Sequence, residues 1–104
     1  MGAGESREWL DPWRAAGERA ATLDHELRRE ICPSHPLFGV RATAVGLSRV
    51  CDDVLFALAG GRFALVHLTY RAETTPEWPH TVFYATWGDW LRDRMAVDHD
   101  ALRS

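Results

Sequence analysis

The sequence predicts a small α+β protein: an N-terminal amphipathic helix, an antiparallel meander of three strands with a fourth open at residues 81–86, and a C-terminal helix. Three observations predict it. Apolar residues recur at helical spacing between Trp13 and Leu27. Two apolar runs, 54–59 and 62–70, flank the dipeptide Gly60-Gly61. Near the end, Trp87, Trp90, Leu91, Arg94 and Met95 repeat a spacing of three and four.

The first helix is expected to start at Asp11-Pro12, with Asp as N-cap and Pro at the first helical position. Trp13, Ala16, Ala20, Leu23 and Leu27 form its apolar stripe, which Trp9 and Ile31 extend. Arg14, Glu18, Asp24, Glu26 and Arg28 lie off the stripe. Gly17 weakens the helix by about 1 kcal/mol relative to Ala. Pro33 ends it, because the residue before a proline avoids the α region.

Residues 32–39 carry two prolines and a glycine and form a stiff connector. Residues 40–47 then alternate as a strand, with Val40, Ala42 and Ala44 on one side and Arg41, Thr43 and Val45 on the other. Residues 48–53 turn. The next two strands are joined at Gly60-Gly61, whose tolerance of positive φ suits a two-residue hairpin turn. Such a turn sets Leu58 opposite Phe63, Phe56 opposite Leu65 and Val54 opposite His67. Leu55, Ala57, Ala64, Val66 and Leu68 take the other face, its two alanines leaving room for a close helix. Both faces are apolar, so both need cover. Residues 71–79 form a loop, the last helix follows from Gly88, and 98–100 and the tail fray. The whole, 1–104, reads as one domain with 1–8 and 99–104 frayed.

Composition limits function. The formal net charge is -3 and all twelve basic side chains are scattered arginines. That argues against a dominant nucleic-acid role, which needs clustered cations. No apolar run approaches the roughly 18 residues of a membrane span. Cys32 and Cys51 fall outside metal and redox spacings, so the chain is expected in a reducing cytoplasm with free thiols.

No catalytic constellation stands out. His67, in mid-strand, is either a pocket base or a histidine held by a hydrogen bond to Thr69, Tyr70 or backbone. Adjacent Asp52 and Asp53 point to opposite faces of a strand. The expected register sets Asp53 across from Leu68, away from His67. Cys32 and His35, with Cys51, His67 or His80, offer only a fragment of a zinc pattern, so no metal and no cofactor is expected. Neither a Cys nor a Ser nucleophile has supporting context. Trp78, between Glu77 and Pro79 in a loop, either plugs the core or meets a partner. The contact candidates are therefore His67, Thr69, Tyr70, Trp78 and His35.

Four stretches carry a resemblance: His35-Pro36-Leu37, Asp52-Asp53-Val54-Leu55-Phe56, Val66-His67-Leu68-Thr69-Tyr70 and Glu77-Trp78-Pro79. Together they resemble a family of small uncharacterised bacterial proteins with His-Pro-Leu-x-Gly, Asp-Asp-Val-Leu-Phe and Val-His-Leu-Thr-aromatic segments, over about residues 23–98. Tyr70 stands where that pattern has Trp. The resemblance implies an α+β fold and no activity.

The expected function is that of a small, cytoplasmic, non-catalytic binding or accessory protein whose contact surface includes the Trp78 loop. The alternative is a small enzyme or small-molecule binder with a pocket around His67, Thr69 and Tyr70, further lined by Asp53 and His35. Neither nucleic acid nor membrane is expected as a partner. The partner is an unknown protein or small ligand, and free sheet edges allow a homodimer.

Overall fold

The computed structural model describes residues 7–103, so the parts of the expected frayed ends at 1–6 and 104 lie outside the described residues. Among the described residues five antiparallel strands form one sheet in chain order: β1 (Trp13–Ala15), β2 (Ala42–Ser48), β3 (Asp53–Leu58), β4 (Phe63–His67) and β5 (His80–Tyr84). Helix α1 (Ala20–Glu30) covers one face. A second helix covers the other; it runs from α2 (Trp87–Trp90) through a π-helical turn (Leu91–Met95) into α3 (Ala96–Arg103).

The N-terminal helix does not start at Asp11-Pro12. Residues 13–15 are extended and pair with Ser48, Leu47 and Gly46 of β2. A short 3-10 turn, Gly17–Arg19, precedes α1, and Gly17 takes φ +54, outside the helical range. The periodicity misleads because one series of apolar residues serves two elements. Ala16, Leu23 and Leu27 enter the core under α1, whereas Trp13 enters the core on the opposite face. There it meets Trp90 edge-on, with ring centroids 4.7 Å apart.

Strand β2 does not alternate strictly. A bulge between Ala44 and Gly46 lets Ala44 and Leu47 both face α1 while Val45 packs on the other side. Gly46 lies against the Trp9 ring, and a Cβ there would overlap the indole.

The β3–β4 hairpin corrects the expected register by one residue. Leu58 N–H donates to Arg62 O at 2.8 Å, so three residues, Ala59–Gly61, form the loop. Gly60 and Gly61 both take positive φ, near +77 and +78. The pairs are Asp53 with His67, Val54 with Val66, Leu55 with Leu65, Phe56 with Ala64 and Ala57 with Phe63. A one-residue slip moves every side chain of one strand to the other face relative to its neighbour. Val54, Phe56, Leu58, Ala64, Val66 and Leu68 therefore share the α1 side, and Leu55, Ala57, Phe63 and Leu65 face the C-terminal helix. Each face holds one of the two central alanines.

The segment left open at 81–86 supplies β5, which pairs along β4 and covers its edge. Thr86 caps the C-terminal helix by accepting Asp89 N–H at 3.1 Å. That helix continues to Arg103. Asp98 accepts Trp13 Nε1–H at 2.9 Å, and His99 Nδ1–H donates to Asp11 O at 2.8 Å. Those bonds tie the last turns to the first strand. Arg7 likewise sits over the rings of Phe63 and Trp87.

Candidate functional site

The slipped register brings together what the sequence reading held apart. His67 at the end of β4 faces Asp53 at the start of β3, with His67 Nδ1 and Asp53 Oδ1 2.6 Å apart. Asp53 is buried, while the His67 side chain is half exposed. An ionised carboxylate only accepts, so Nδ1–H is the donor and Nε2 is the atom His67 can offer to a ligand. The expectation that Asp53 lies opposite Leu68 on the far face is overturned by the three-residue loop.

The other oxygen of Asp53 accepts Arg94 Nη2–H at 2.8 Å. Arg94 Nε–H donates to Asp98 Oδ2 at 2.9 Å, the same oxygen that receives Trp13 Nε1–H. The chain His67–Asp53–Arg94–Asp98–Trp13 thus links β4, β3, the C-terminal helix and β1. Burial works to lower the Arg94 guanidinium, but Asp98 and Asp53 outweigh it and hold Arg94 above its ordinary value.

An open cleft of about 310 Å³ lies beside this network, lined by Asp53, Leu65, His67, His80, Val82 and Arg94. His80 is the cross-strand partner of His67 on β5. A groove of about 330 Å³ beside α1, lined by residues such as Leu27, Ile31, Leu37 and Val40, has no acid, histidine or thiol in its walls.

Thr69 and Tyr70 serve a different site. Glu30, fully buried at the end of α1, accepts Thr69 N–H at 2.9 Å and Thr69 Oγ1–H at 3.2 Å on one oxygen. Its second oxygen accepts Tyr70 N–H at 2.7 Å. Its backbone carbonyl accepts Glu73 N–H at 2.9 Å. These bonds fasten the chain leaving β4 and hold Tyr70 at φ +61. Burial, with the neighbouring Glu26 carboxylate, raises Glu30 to about 7 against the pull of the Thr69 and Tyr70 N–H groups.

His35 is buried and structural in its contacts. Its Nε2–H donates to Pro79 O at 3.0 Å, and its Nδ1 accepts Leu37 N–H at 3.0 Å. Thr81 Oγ1–H also donates to Pro79 O. Pro79 is buried, whereas Trp78 next to it is 48% exposed. The indole is therefore presented to solvent and does not plug the core.

Both cysteines are free. The Ser34 hydroxyl draws the Cys32 thiol below its ordinary value, but His35 is committed elsewhere and gives it no base. Among the described residues no group of three or more His, Cys, Asp or Glu side chains is placed to hold a metal ion, and no helix is long and apolar enough to cross a membrane.

Sequence reasoning missed Glu30 and Asp98 and did not connect Arg94 to Asp53. Glu30 and Arg94 had a signal, since each is a charged residue on an apolar helical stripe: Glu30 follows Leu23 and Leu27 at spacings of four and three. No family model, curated protein or solved structure matches the chain.

Proposed function

We propose that the protein is a small, non-catalytic binding or accessory protein of the cytoplasm, acting on a protein partner through a surface built on the Trp78 loop. One observation carries this reading: a large aromatic side chain stands half exposed beside a buried, hydrogen-bonded proline. Pro79 is buried and receives hydrogen bonds from His35 and Thr81, and Trp78 N–H donates to Thr75 O at 3.3 Å. An indole has only two side-chain torsions to lose on binding and offers a large contact area, which favours Trp at binding hot spots. The test is quantitative mass spectrometry of partners captured from the native host by the wild-type chain and by Trp78→Ala. Selective loss of a partner with the variant supports the reading; an identical partner set sinks it.

The Asp53–His67 bond favours a second reading, a small-ligand pocket or small enzyme centred on His67. Its walls differ from the expected ones, because Thr69 and Tyr70 attach to Glu30 and His35 attaches to Pro79. His80 and Arg94 take their places beside His67. A thermal-shift screen of small metabolites against wild type and His67→Gln tests it: a stabilising compound that acts equally on both variants counts against this pocket.

A further inference from the structure

The pairing of β4 with β5 sets His67 directly across from His80 on the face of the C-terminal helix, and both line the same cleft. Side chains so paired have Cβ atoms about 5 Å apart, within chelating reach of one ion. Asp53 receives the Nδ1–H of His67. A carboxylate on the distal N–H is the usual companion of a metal-ligating imidazole, since it fixes the tautomer and raises the basicity of the free nitrogen. Charge separates the possible ligand classes. Among the described residues the only guanidinium lining the cleft, Arg94, is shared by Asp53 and Asp98, so with neutral imidazoles these three groups carry one net negative charge. That favours a cation and leaves Arg94 poorly free to grip an anion.

We propose that His67 and His80 bind one borderline transition-metal dication of the Zn²⁺, Cu²⁺ or Ni²⁺ class, with Asp53 as the outer carboxylate. Nitrogen donors select these ions over Mg²⁺ and Ca²⁺, which take oxygen ligands. Both oxygens of Asp53 are engaged, by His67 and by Arg94, so Asp53 orients a ligand and is not one itself. Two imidazoles leave the remaining coordination positions to water, and an open position is where a metal site exchanges ligands. The cleft, about 310 Å³, has room for the ion and that water. The sequence suggested His67 and His80 only as alternative companions of a Cys32–His35 fragment, because 67 and 80 lie in separate segments that only the β4–β5 pairing joins.

The inference rests on the pocket reading and is independent of Trp78. Its test is calorimetric titration of the tag-free chain with zinc chloride alone, in a non-chelating buffer. Saturable binding with a one-to-one ratio is expected, weakened at least tenfold in His67→Gln and in His80→Gln. Asp53→Asn is expected to weaken it 10- to 100-fold. His25→Gln, on the exposed side of α1, is expected to leave it unchanged. Excess zinc raises the midpoint of thermal unfolding by mass action in the wild type and not in His80→Gln. His80 is exposed on an edge strand, so that variant keeps the test decisive even where His67→Gln fails to fold. Absence of saturable zinc binding, or wild-type binding in His80→Gln, overturns the inference. An organic compound that binds through His67 without zinc uptake overturns it too, and leaves the pocket reading standing.

Discussion

Asp53 and His67 are cross-strand partners joined at 2.6 Å, and Asp53 is also the anchor for Arg94 from the opposite layer. A buried carboxylate with two cationic or N–H donors is costly to strip, because the donors keep their desolvation cost after the acceptor is lost. Asp53→Asn keeps the shape, removes the charge and turns one acceptor into a donor. It is expected to destabilise by about 1–3 kcal/mol in urea unfolding. In a double-mutant cycle with Arg94→Met, the two changes are expected to be non-additive by at least about 0.5 kcal/mol. Strict additivity shows that the bond contributes nothing specific.

That pair was the hardest feature to read from the sequence, and the reason is local. Gly60-Gly61 marks the hairpin correctly, but the same two glycines suit a two-residue turn and a three-residue loop that also takes in Ala59. The choice changes the register by one and decides whether Asp53 meets His67 or Leu68. The apolar runs of β3 and β4 were legible because both sheet faces are covered, which demands continuous hydrophobicity. The β1 strand was not, since Trp13 falls in phase with the α1 stripe although its ring serves the other core. The exposure of Trp78 and the burial of His35 depend on a contact between residues 44 positions apart, which no local pattern encodes.

Gly46 makes room for Trp9, whose ring lies where a Cβ would project. Trp9 in turn packs edge-on against Trp87, with centroids 5.2 Å apart. Gly46→Ala therefore displaces a ring that belongs to the second core. A cost of about 1–3 kcal/mol is expected, as for other overpacked sites. Trp9→Ala in the same background is expected to relieve the clash, so the double variant loses less than the sum of the two single losses. Chemical denaturation of the four chains reads this directly.

His35 and Trp78 should behave oppositely when truncated. His35→Ala leaves Leu37 N–H without its acceptor and Pro79 O without one donor, both in a buried place, and is expected to cost about 2–4 kcal/mol. Trp78→Ala removes a half-exposed ring and is expected to change stability by roughly 0.5 kcal/mol or less. Thermal unfolding of both variants checks the pair of outcomes. A large loss with Trp78→Ala would show that the ring supports the fold, and would remove the basis for assigning it to a partner.

Glu30 ties stability to pH. Its folded value of about 7 stands above the ordinary 4.5, chiefly because burial penalises the carboxylate and secondarily because Glu26 is close. Between those two pH values the folded chain holds a proton that the unfolded chain has released. Stability from this group is therefore fully present below about 4.5 and falls as pH rises through about 7, with a slope of at most about 1.4 kcal/mol per pH unit. Glu26 acts in a different window: its hydrogen bond from Arg29 lowers it, so its contribution is present above the ordinary value and is lost on acidification. Glu30→Gln cannot titrate. Its amide oxygen can still accept one of the two backbone N–H groups, while its NH₂ faces the other, so it is expected to be less stable at every pH. The diagnostic quantity is the slope: urea unfolding from pH 4.5 to 7 should decline more steeply in the wild type than in Glu30→Gln. Parallel profiles would mean that Glu30 takes up no proton on folding, and that the N–H groups of Thr69 and Tyr70 hold it ionised throughout.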